Sequence, residues 1–358
     1  MRLDYVDHSE DPAAWAASLG VSEEAVQLVL GSDFIDLHCD LEVPVRVLGY
    51  RPMKRHGPWK RVVPFMGHTD YPRLREAGLT GVVYDLATNV FRRPAGRQAV
   101  TLKNLARMKD QVQAWPDDLA LVRTATEYDA ARAAGKTAMM LAIQGGNALE
   151  HDPSVLDGPL GQDLHRITLV HLSSSAFGGS NSPSQPDAGI TDAGRAFVER
   201  CNAQRILVDL AHAGKPTFWG ALEAHCGHLP PIVSHTGVSG VREHWRNIDD
   251  DQLRAIAERD GVVGIIYQGN FLAPVPTGFP CKRAAILDHL QHIIDIVGER
   301  YAAIGTDYDG MITPPSDLVD ITHHPLLVQD MLDRGWSADR IQGILGGNYV
   351  RVLRAVRP

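Results

Sequence analysis

The stretch Phe34-Ile-Asp-Leu-His-Cys-Asp40 combines an apolar run with two potential metal ligands spaced two residues apart. On a β-strand, residues i and i+2 point to the same side, so His38 and Asp40 can both face one cavity. Imidazole nitrogens and carboxylate oxygens are good ligands for divalent metals. A single His-x-Asp also occurs in surface turns, so its meaning depends on what recurs along the chain.

Seven further apolar runs follow, and helix-like patterns separate most of them. The eight predicted strands are Phe34–Leu41, Thr80–Asp85, Ala138–Ile143, Ile167–Leu172, Ile206–Leu210, Ile232–Ser234, Val262–Tyr267 and Ala302–Thr306. Continuous apolar strands that alternate with helices indicate a parallel sheet covered on both faces. Eight such units predict a closed (β/α)8 barrel of the TIM type. The alternative is an open doubly wound sheet, which more often carries a glycine-rich phosphate loop after its first strand; none is present here.

The two ends of the chain predict helices rather than strands. Residues 1–30 have the pattern of a helical lead-in, and residues 337–356 have that of an amphipathic helix pair broken at Gly346-Gly347. We therefore expect one metallohydrolase domain over residues 1–358, with the barrel and the C-terminal helices within residues 31–358.

The composition is that of a soluble globular protein, with 44% hydrophobic and 22% charged residues in a chain of 358. The net charge of -8 argues against a general nucleic-acid binder. No apolar run is long enough to span a membrane, and the N-terminus lacks a basic segment followed by an apolar one, so we expect a cytoplasmic location without membrane attachment. The four cysteines are scattered, which excludes a cysteine-rich zinc knuckle and argues against a disulfide framework.

Polar residues recur at the C-terminal ends of the predicted strands. They are His38 and Asp40, Gln144 and Asn147, His171, Asp209 and His212, Ser234 and His235, Tyr267, and Asp307 and Asp309. Barrel enzymes place their chemistry at this end, because all eight strand ends converge on one mouth. Imidazoles and carboxylates after five of eight strands predict a metal site there.

These segments together resemble the membrane (renal) dipeptidase family of the amidohydrolase superfamily, which also has soluble bacterial members. The resemblance extends from about Asp33 to Arg351. It is carried by Asp36-Leu-His-Cys-Asp40, Ile143-Gln-Gly-Gly146, Thr168-Leu-Val-His171, Val208-Asp-Leu-Ala-His212, Ser234-His-Thr236, Arg246-Asn-Ile-Asp249, Gly305-Thr-Asp-Tyr-Asp-Gly310 and Gly347-Asn348. It implies hydrolysis of dipeptides at two zinc ions bridged by a glutamate, and it implies a homodimer.

The resemblance also implies a role for each matching residue. His38 and Asp40 match the ligands of the first metal, and His212 and His235 match those of the second. His171 matches a histidine that contacts the substrate near the scissile carbonyl. The remaining matches are an arginine that holds the terminal carboxylate, an acidic residue that handles protons, and a tyrosine that lines the pocket: Arg246, Asp307 and Tyr267.

Two positions depart from the family pattern, and both lie in Gln144-Gly-Gly-Asn147. Gln144 stands where the family has its bridging glutamate. A carboxylate can bind two cations at once, whereas an amide has one neutral oxygen and an NH2 group that metals repel. We therefore expect a zinc site with one or two ions, the second weakened by Gln144. Asn147 stands where the family commonly has a histidine, and it can still donate a hydrogen bond to substrate.

Three hypotheses follow. The first is a metal-dependent hydrolase that cleaves a dipeptide or an N-acyl amino acid by a metal-activated water, with Asp307 as base and then acid. The second is a non-catalytic barrel that binds a small amino-acid-like ligand, because the two-metal bridge is lost. The third is a mononuclear amidohydrolase that opens a cyclic amide or lactone.

Overall fold

Parallel strands form the centre of the computed structural model, which describes residues 2–57, 64–89, 92–186 and 188–358. The strands in the described part of the chain are β1 Ile35–Cys39, β2 Gly81–Ala87, β3 Leu119–Leu121, β4 Thr137–Gln144, β5 Arg166–Thr168, β6 Leu207–Asp209, β7 Ile232–Thr236, β8 Val262–Ile265 and β9 Ala302–Ile304. Eight of them pair in the order β1-β2-β4-β5-β6-β7-β8-β9, and every pairing is parallel.

The segment after β9 closes the barrel against β1. Cys39 and Tyr308 form a parallel bridge. The amide of Asp40 donates to the carbonyl of Tyr308 at 2.9 Å, and the amide of Asp307 donates to the carbonyl of His38 at 3.0 Å. The predicted (β/α)8 barrel is therefore confirmed, and its closure brings the ends of the first and last strands together.

Helices surround this barrel and cover its outer face. They are α1 Pro12–Leu19, α2 Glu23–Gly31, α3 Glu42–Leu48, α4 Tyr71–Glu76, α5 Pro94–Gln113, α6 Ala125–Ala133, α7 Pro159–Asp163, α8 Asp192–Ala203, α9 Lys215–Ala224, α10 Asp250–Ala257, α11 Gly269–Leu272, α12 Ala284–Val297, α13 His324–Asp333, α14 Ala338–Gln342 and α15 Asn348–Val356. All eight residues of β4 are buried, which is why the strand has a continuous apolar sequence instead of an alternating one. Across the described residues, no helix has the length and apolar character that crossing a membrane requires.

The helical ends of the chain also follow the sequence pattern. The side chain of Asp11 caps α1 by accepting from the amide of Ala14, and Ser22 caps α2 by accepting from Ala25. A π-helical turn over Gly343–Gly347 joins α14 to α15. The glycines of this turn allow a close approach, since a Cβ at Gly346 would lie 2.2 Å from the carbonyl oxygen of Asp33.

One strand was not predicted. β3, Leu119–Leu121, pairs only with β4 and lies outside the barrel order. Three residues are too few for strand periodicity to appear in the sequence. The eight predicted strands are all present, and most of them end one to four residues earlier than their apolar runs, because the terminal residues of the runs belong to the loops of the barrel mouth.

Candidate metal and active site

Three imidazoles meet at the carboxyl end of the barrel. The Nε2 atoms of His212 and His235 are 2.9 Å apart. The ring of His38 stacks on that of His235, with ring centroids 3.7 Å apart. Donor atoms of His38, His235 and Asp307 all lie within 4.8 Å of one another, which is close enough for one cation to contact them together. Residues far apart in sequence therefore form the predicted cluster.

Gln144, at the end of β4, lies in the middle of these imidazoles. Its Nε2 atom is 3.2 Å from Nε2 of His38, 3.3 Å from Nε2 of His212 and 3.5 Å from Nε2 of His235. Its Oε1 atom is buried without a hydrogen-bond partner among the described residues. A 180° rotation of the amide would exchange these two atoms and present one neutral oxygen to a cation.

Two carboxylates lie close to the same imidazoles. Asp40 Oδ2 lies 3.7 Å and Asp307 Oδ1 lies 3.5 Å from Nε2 of His38. Gly310 makes this convergence possible, because a Cβ at that position would lie 2.3 Å from Asp307 Oδ1 and 3.0 Å from Asp40 Oδ2. Asp307 and His212 both have left-handed backbone conformations, with φ of 59° and 66°. Such conformations cost energy in non-glycine residues and are concentrated at functional sites.

The electrostatic environment favours a cation at this point. Burial disfavours the charged form of His38, but Asp85 and Asp40 outweigh that effect and raise its pKa to about 9. The same carboxylates favour a metal ion bound to Nε2 in place of the proton. Burial, together with neighbouring positive groups, lowers the pKa of His212 and of His235 well below the usual value. These two imidazoles are therefore neutral, which is the form that binds metals.

A cavity of about 380 Å³ opens from this cluster, and Asp40, Gln144, His212 and Asp307 line it. His171 lines it too, with its ring edge-on to that of His212 at a centroid distance of 4.7 Å. Burial lowers the pKa of His171 to about 4, so that its ring is neutral and can donate one N–H bond to a ligand.

Arg246 lines the cavity as well and is only 1% exposed. Its Nη2 donates to the carbonyl of His235 at 2.8 Å, and no described carboxylate forms an ion pair with it. Burial lowers the pKa of Arg246 to about 10, which leaves the guanidinium charged at neutral pH. Because a buried charge without a counter-ion is costly, this side chain is suited to an anionic group on a ligand.

The donor set fits a divalent metal. Among the described residues, Asp40 Oδ1, Gln144 Oε1 and His212 Nδ1 are buried without hydrogen-bond partners. Lone pairs of Asp40 and Gln144 are thus free at the wall of a cavity that also contains neutral imidazole nitrogens. Nitrogen and oxygen donors of this kind suit zinc and also manganese, iron or cobalt.

Comparison with known proteins establishes the family. The family model of the membrane dipeptidases, peptidase family M19, matches residues 22–358. The chain belongs to this family. The resemblance expected from the sequence and the assignment to metal-dependent dipeptidase-type hydrolases are confirmed.

Two relatives and one solved structure show how similar this M19 chain is to known proteins. Dipeptidase aclJ of Aspergillus oryzae is 28% identical over 80% of this chain and 69% of its own length. Dipeptidase verJ of Clonostachys rogersoniana is 28% identical over 93% of this chain and 86% of its own length. A Rhodobacter sphaeroides metallopeptidase, solved with a phosphinate mimic of the dipeptide L-Ala-D-Ala, shares the fold, with a TM-score of 0.80 and 24% identity over 91% of this chain and 99% of that one.

Two predicted substrate-binding residues do not line the cavity. Tyr267 is fully buried, and its hydroxyl lies 3.1 Å from Nε2 of His324. Asn147 is 2% exposed and donates from Nδ2 to the hydroxyl of Ser173 at 3.3 Å. Their roles stay predictions, as do the homodimer and the cytoplasmic location.

Sequence reasoning missed a buried ion network that contacts the predicted metal ligands. Arg166 pairs with Asp85 through Nη2 and with Asp209 through Nη1, and all three side chains are inaccessible to solvent. Asp85 Oδ2 also lies 3.1 Å from Nδ1 of His38. Arg166 Nη2 lies 3.0 Å from the same nitrogen, and these two contacts hold the ring so that Nε2 faces the cavity. The sequence contains one indication of this network: Arg166 and Asp85 are charged residues within otherwise apolar strands.

The same network also holds the other two histidines. Asp209 Oδ1 accepts from the amides of Ala211 and Ser234, each at 3.0 Å. These amides directly precede His212 and His235 in the chain, and the hydroxyl of Ser234 lies 2.7 Å from Nδ1 of His235. One arginine therefore couples the orientation of ligands from three strands.

Asp85→Asn is expected to weaken zinc binding by about 10- to 100-fold. The neutral amide would no longer stabilise the positive charge that a bound ion places on the His38 ring. The dissociation constant is measured by competition with a chromophoric chelator. Asp118→Asn is the matched control: Asp118 is buried and accepts from the amide of Leu3, remote from the site. Equal zinc affinity in Asp85→Asn and wild type would show that the network has no influence on the ligands.

Proposed function

We propose that the protein is a zinc-dependent dipeptidase that recognises the free carboxylate of its substrate through Arg246. The observation that carries this proposal is that one cavity contains a candidate cation-binding cluster and a buried arginine that forms an ion pair with none of the described carboxylates. A dipeptide offers the matching groups, an amide carbonyl and a terminal carboxylate. The dipeptide mimic bound to the Rhodobacter sphaeroides metallopeptidase supports the same substrate class.

His38, Asp40, His212 and His235 would hold the metal. When bound, zinc acidifies a water and acts as a Lewis acid toward a carbonyl group. Gln144 supplies at most one neutral oxygen at the centre of the site, so we propose that a second ion binds weakly. A single strongly bound ion is the expected state.

The protein side chains would then act in sequence. The Arg246 guanidinium pairs with the substrate carboxylate in bidentate fashion and positions the peptide bond. The neutral His171 ring donates an N–H bond to the carbonyl oxygen as negative charge develops there. An Asp307 carboxylate oxygen takes a proton from the attacking water and delivers it to the amide nitrogen as the C–N bond breaks. The products are two amino acids, so the sum of the steps is addition of one water.

Catalysis is favoured over the non-catalytic alternative, because the family match spans residues 22–358 and the ligand residues of the first hypothesis meet in one place. N-acyl amino acids have the same amide and carboxylate, and they belong to the proposed substrate class. A cyclic amide or lactone without a free carboxylate would leave Arg246 unpaired.

The test of carboxylate recognition compares dipeptides with their C-terminal amides. Wild type is expected to cleave L-Ala-L-Leu or L-Ala-D-Leu with a kcat/KM about 100-fold above that of the amide, because only the acid pairs with Arg246. Arg246→Met is expected to lower kcat/KM for the acid about 100-fold and to leave the amide within about twofold.

Arg254→Met is the matched control for this test. Arg254 lies on α10, where it pairs with Asp251 on the surface and is about half exposed. We expect this variant to behave as wild type. Equal cleavage of acid and amide by wild type would contradict the proposed role of Arg246.

A further inference from the structure

The cavity has an apolar wall on the side that carries Arg246. We use this term for Trp245, Ile266, Phe271, Met311 and Ile312, all of which line the cavity. They lie in the segments that follow β7, β8 and β9. Since the strand order is circular, this wall occupies one continuous arc of the barrel mouth, next to the loop of Arg246.

Aromatic rings form the outer part of the apolar wall. The Trp245 and Phe271 rings pack edge to face, with centroids 5.9 Å apart. The His244 ring packs against both, with its centroid 4.5 Å from that of Phe271 and 5.2 Å from that of Trp245. Trp245 remains 39% exposed and Met311 62% exposed. Large apolar surface left open in a cavity gains free energy when a ligand covers it.

The apolar wall is held in a fixed position relative to Arg246. Asn247, the next residue in the chain, donates from Nδ2 to the carbonyl of Phe271 at 2.8 Å and accepts from the amide of Gly237 at 3.1 Å. Gln268 accepts from the amide of Thr313 at 2.6 Å, which ties the loop after β8 to the segment after β9. A ligand anchored on Arg246 therefore meets a preformed surface.

We propose that the apolar wall is a side-chain subsite that selects substrates with a large apolar residue at the C-terminus. This inference rests on the proposed function: with the carboxylate on Arg246, the side chain on the same Cα lies on the Arg246 side of the cavity. Trp245 and Phe271 would cover an aromatic or branched aliphatic side chain. None of the five residues carries a charge, so an acidic C-terminal side chain has no partner on this wall and is disfavoured.

The test uses zinc-reconstituted protein and the dipeptides Ala-Phe, Ala-Leu and Ala-Asp, each with an L- or a D-residue at the C-terminus, together with Ala-Gly. Wild type is expected to prefer Ala-Phe or Ala-Leu over Ala-Gly by about 10- to 100-fold in kcat/KM. Trp245→Ala should remove most of that preference, because it raises KM for the large residues more than KM for Ala-Gly. Trp245→Phe should retain at least half of the preference.

Phe279→Ala is the matched control, because Phe279 is an aromatic residue that is 59% exposed and does not line this cavity. It should keep the wild-type preference. Equal cleavage of Ala-Gly and Ala-Phe by wild type, or an unchanged preference in Trp245→Ala, would overturn the subsite.

The proposed function can fail separately from the subsite. If no dipeptide is cleaved, the proposed function fails. The affinities of the same intact peptides, measured by calorimetry, then test whether the apolar wall is a side-chain subsite. Binding of Ala-Phe at least about tenfold tighter than that of Ala-Gly, lost in Trp245→Ala, would support the apolar wall. Equal affinities, or no binding of either peptide, would overturn it.

Discussion

Asp307→Asn is expected to lower kcat for dipeptide hydrolysis about 10³-fold, within the range attributed to general acid–base catalysis. Burial, together with the Asp40 carboxylate, raises the pKa of Asp307 well above the usual value. A carboxyl group with a raised pKa is a good proton acceptor and donor near neutral pH. An asparagine amide has the same shape but cannot take up and release that proton.

Metal content must be measured beside the rate, because Asp307 lies 3.5 Å from the His38 imidazole and within reach of the same cation. We expect Asp307→Asn to retain its zinc, since His38, Asp40, His212 and His235 are unchanged. Asp251→Asn, a change at a largely exposed aspartate on α10, should behave as wild type. If the Asp307→Asn enzyme contains as much zinc as wild type and keeps more than a tenth of the wild-type kcat, Asp307 is excluded as the proton carrier.

Gln144→Glu is expected to raise the zinc content from one to two ions per chain. The new carboxylate would lie among the His38, His212 and His235 nitrogens, which are 3.2 to 3.5 Å from the present amide. A negative charge about 4 Å from a positive one contributes about 4 kcal/mol at an effective dielectric constant near 20, or about 10³-fold in affinity. It would also offset the repulsion between two dications.

Elemental analysis after reconstitution and dialysis gives the stoichiometry. Gln268→Glu is the control, because it adds the same charge to the wall of the same cavity, at a side chain that bonds Asn270 and Thr313 instead of the imidazoles. It should leave one ion per chain. Two tightly bound ions in wild type would mean that Gln144 does not weaken the second site.

The barrel and the positions of the candidate metal ligands could be predicted because both depend on local sequence. Each strand is a short apolar run, and each ligand stands at the end of one run, as His38, His212 and His235 do. The rule that strand ends converge then places these ligands together without knowledge of any contact. The differences from the family pattern at Gln144 and Asn147 could be recognised for the same reason.

The ion network that contacts the candidate ligands could not be predicted, because it depends on side-chain pairs across the barrel. Arg166 on β5 reaches Asp85 on β2 and Asp209 on β6, and no spacing in the sequence indicates those pairs. The apolar wall combines three loops whose side-chain directions are set by tertiary packing. Tyr267, which the family resemblance predicts to line the pocket, is buried with its hydroxyl 3.1 Å from Nε2 of His324, a contact that sequence spacing does not indicate either.

The most direct test of the central claim is hydrolysis of a dipeptide panel by wild-type protein that has been stripped of metal and then reconstituted with zinc. The account predicts release of free amino acids by the reconstituted protein, none by the stripped protein, and loss of activity when a chelator is added again. Tight calorimetric binding of a dipeptide that is recovered intact from the zinc-loaded protein would contradict the account and favour a binding protein.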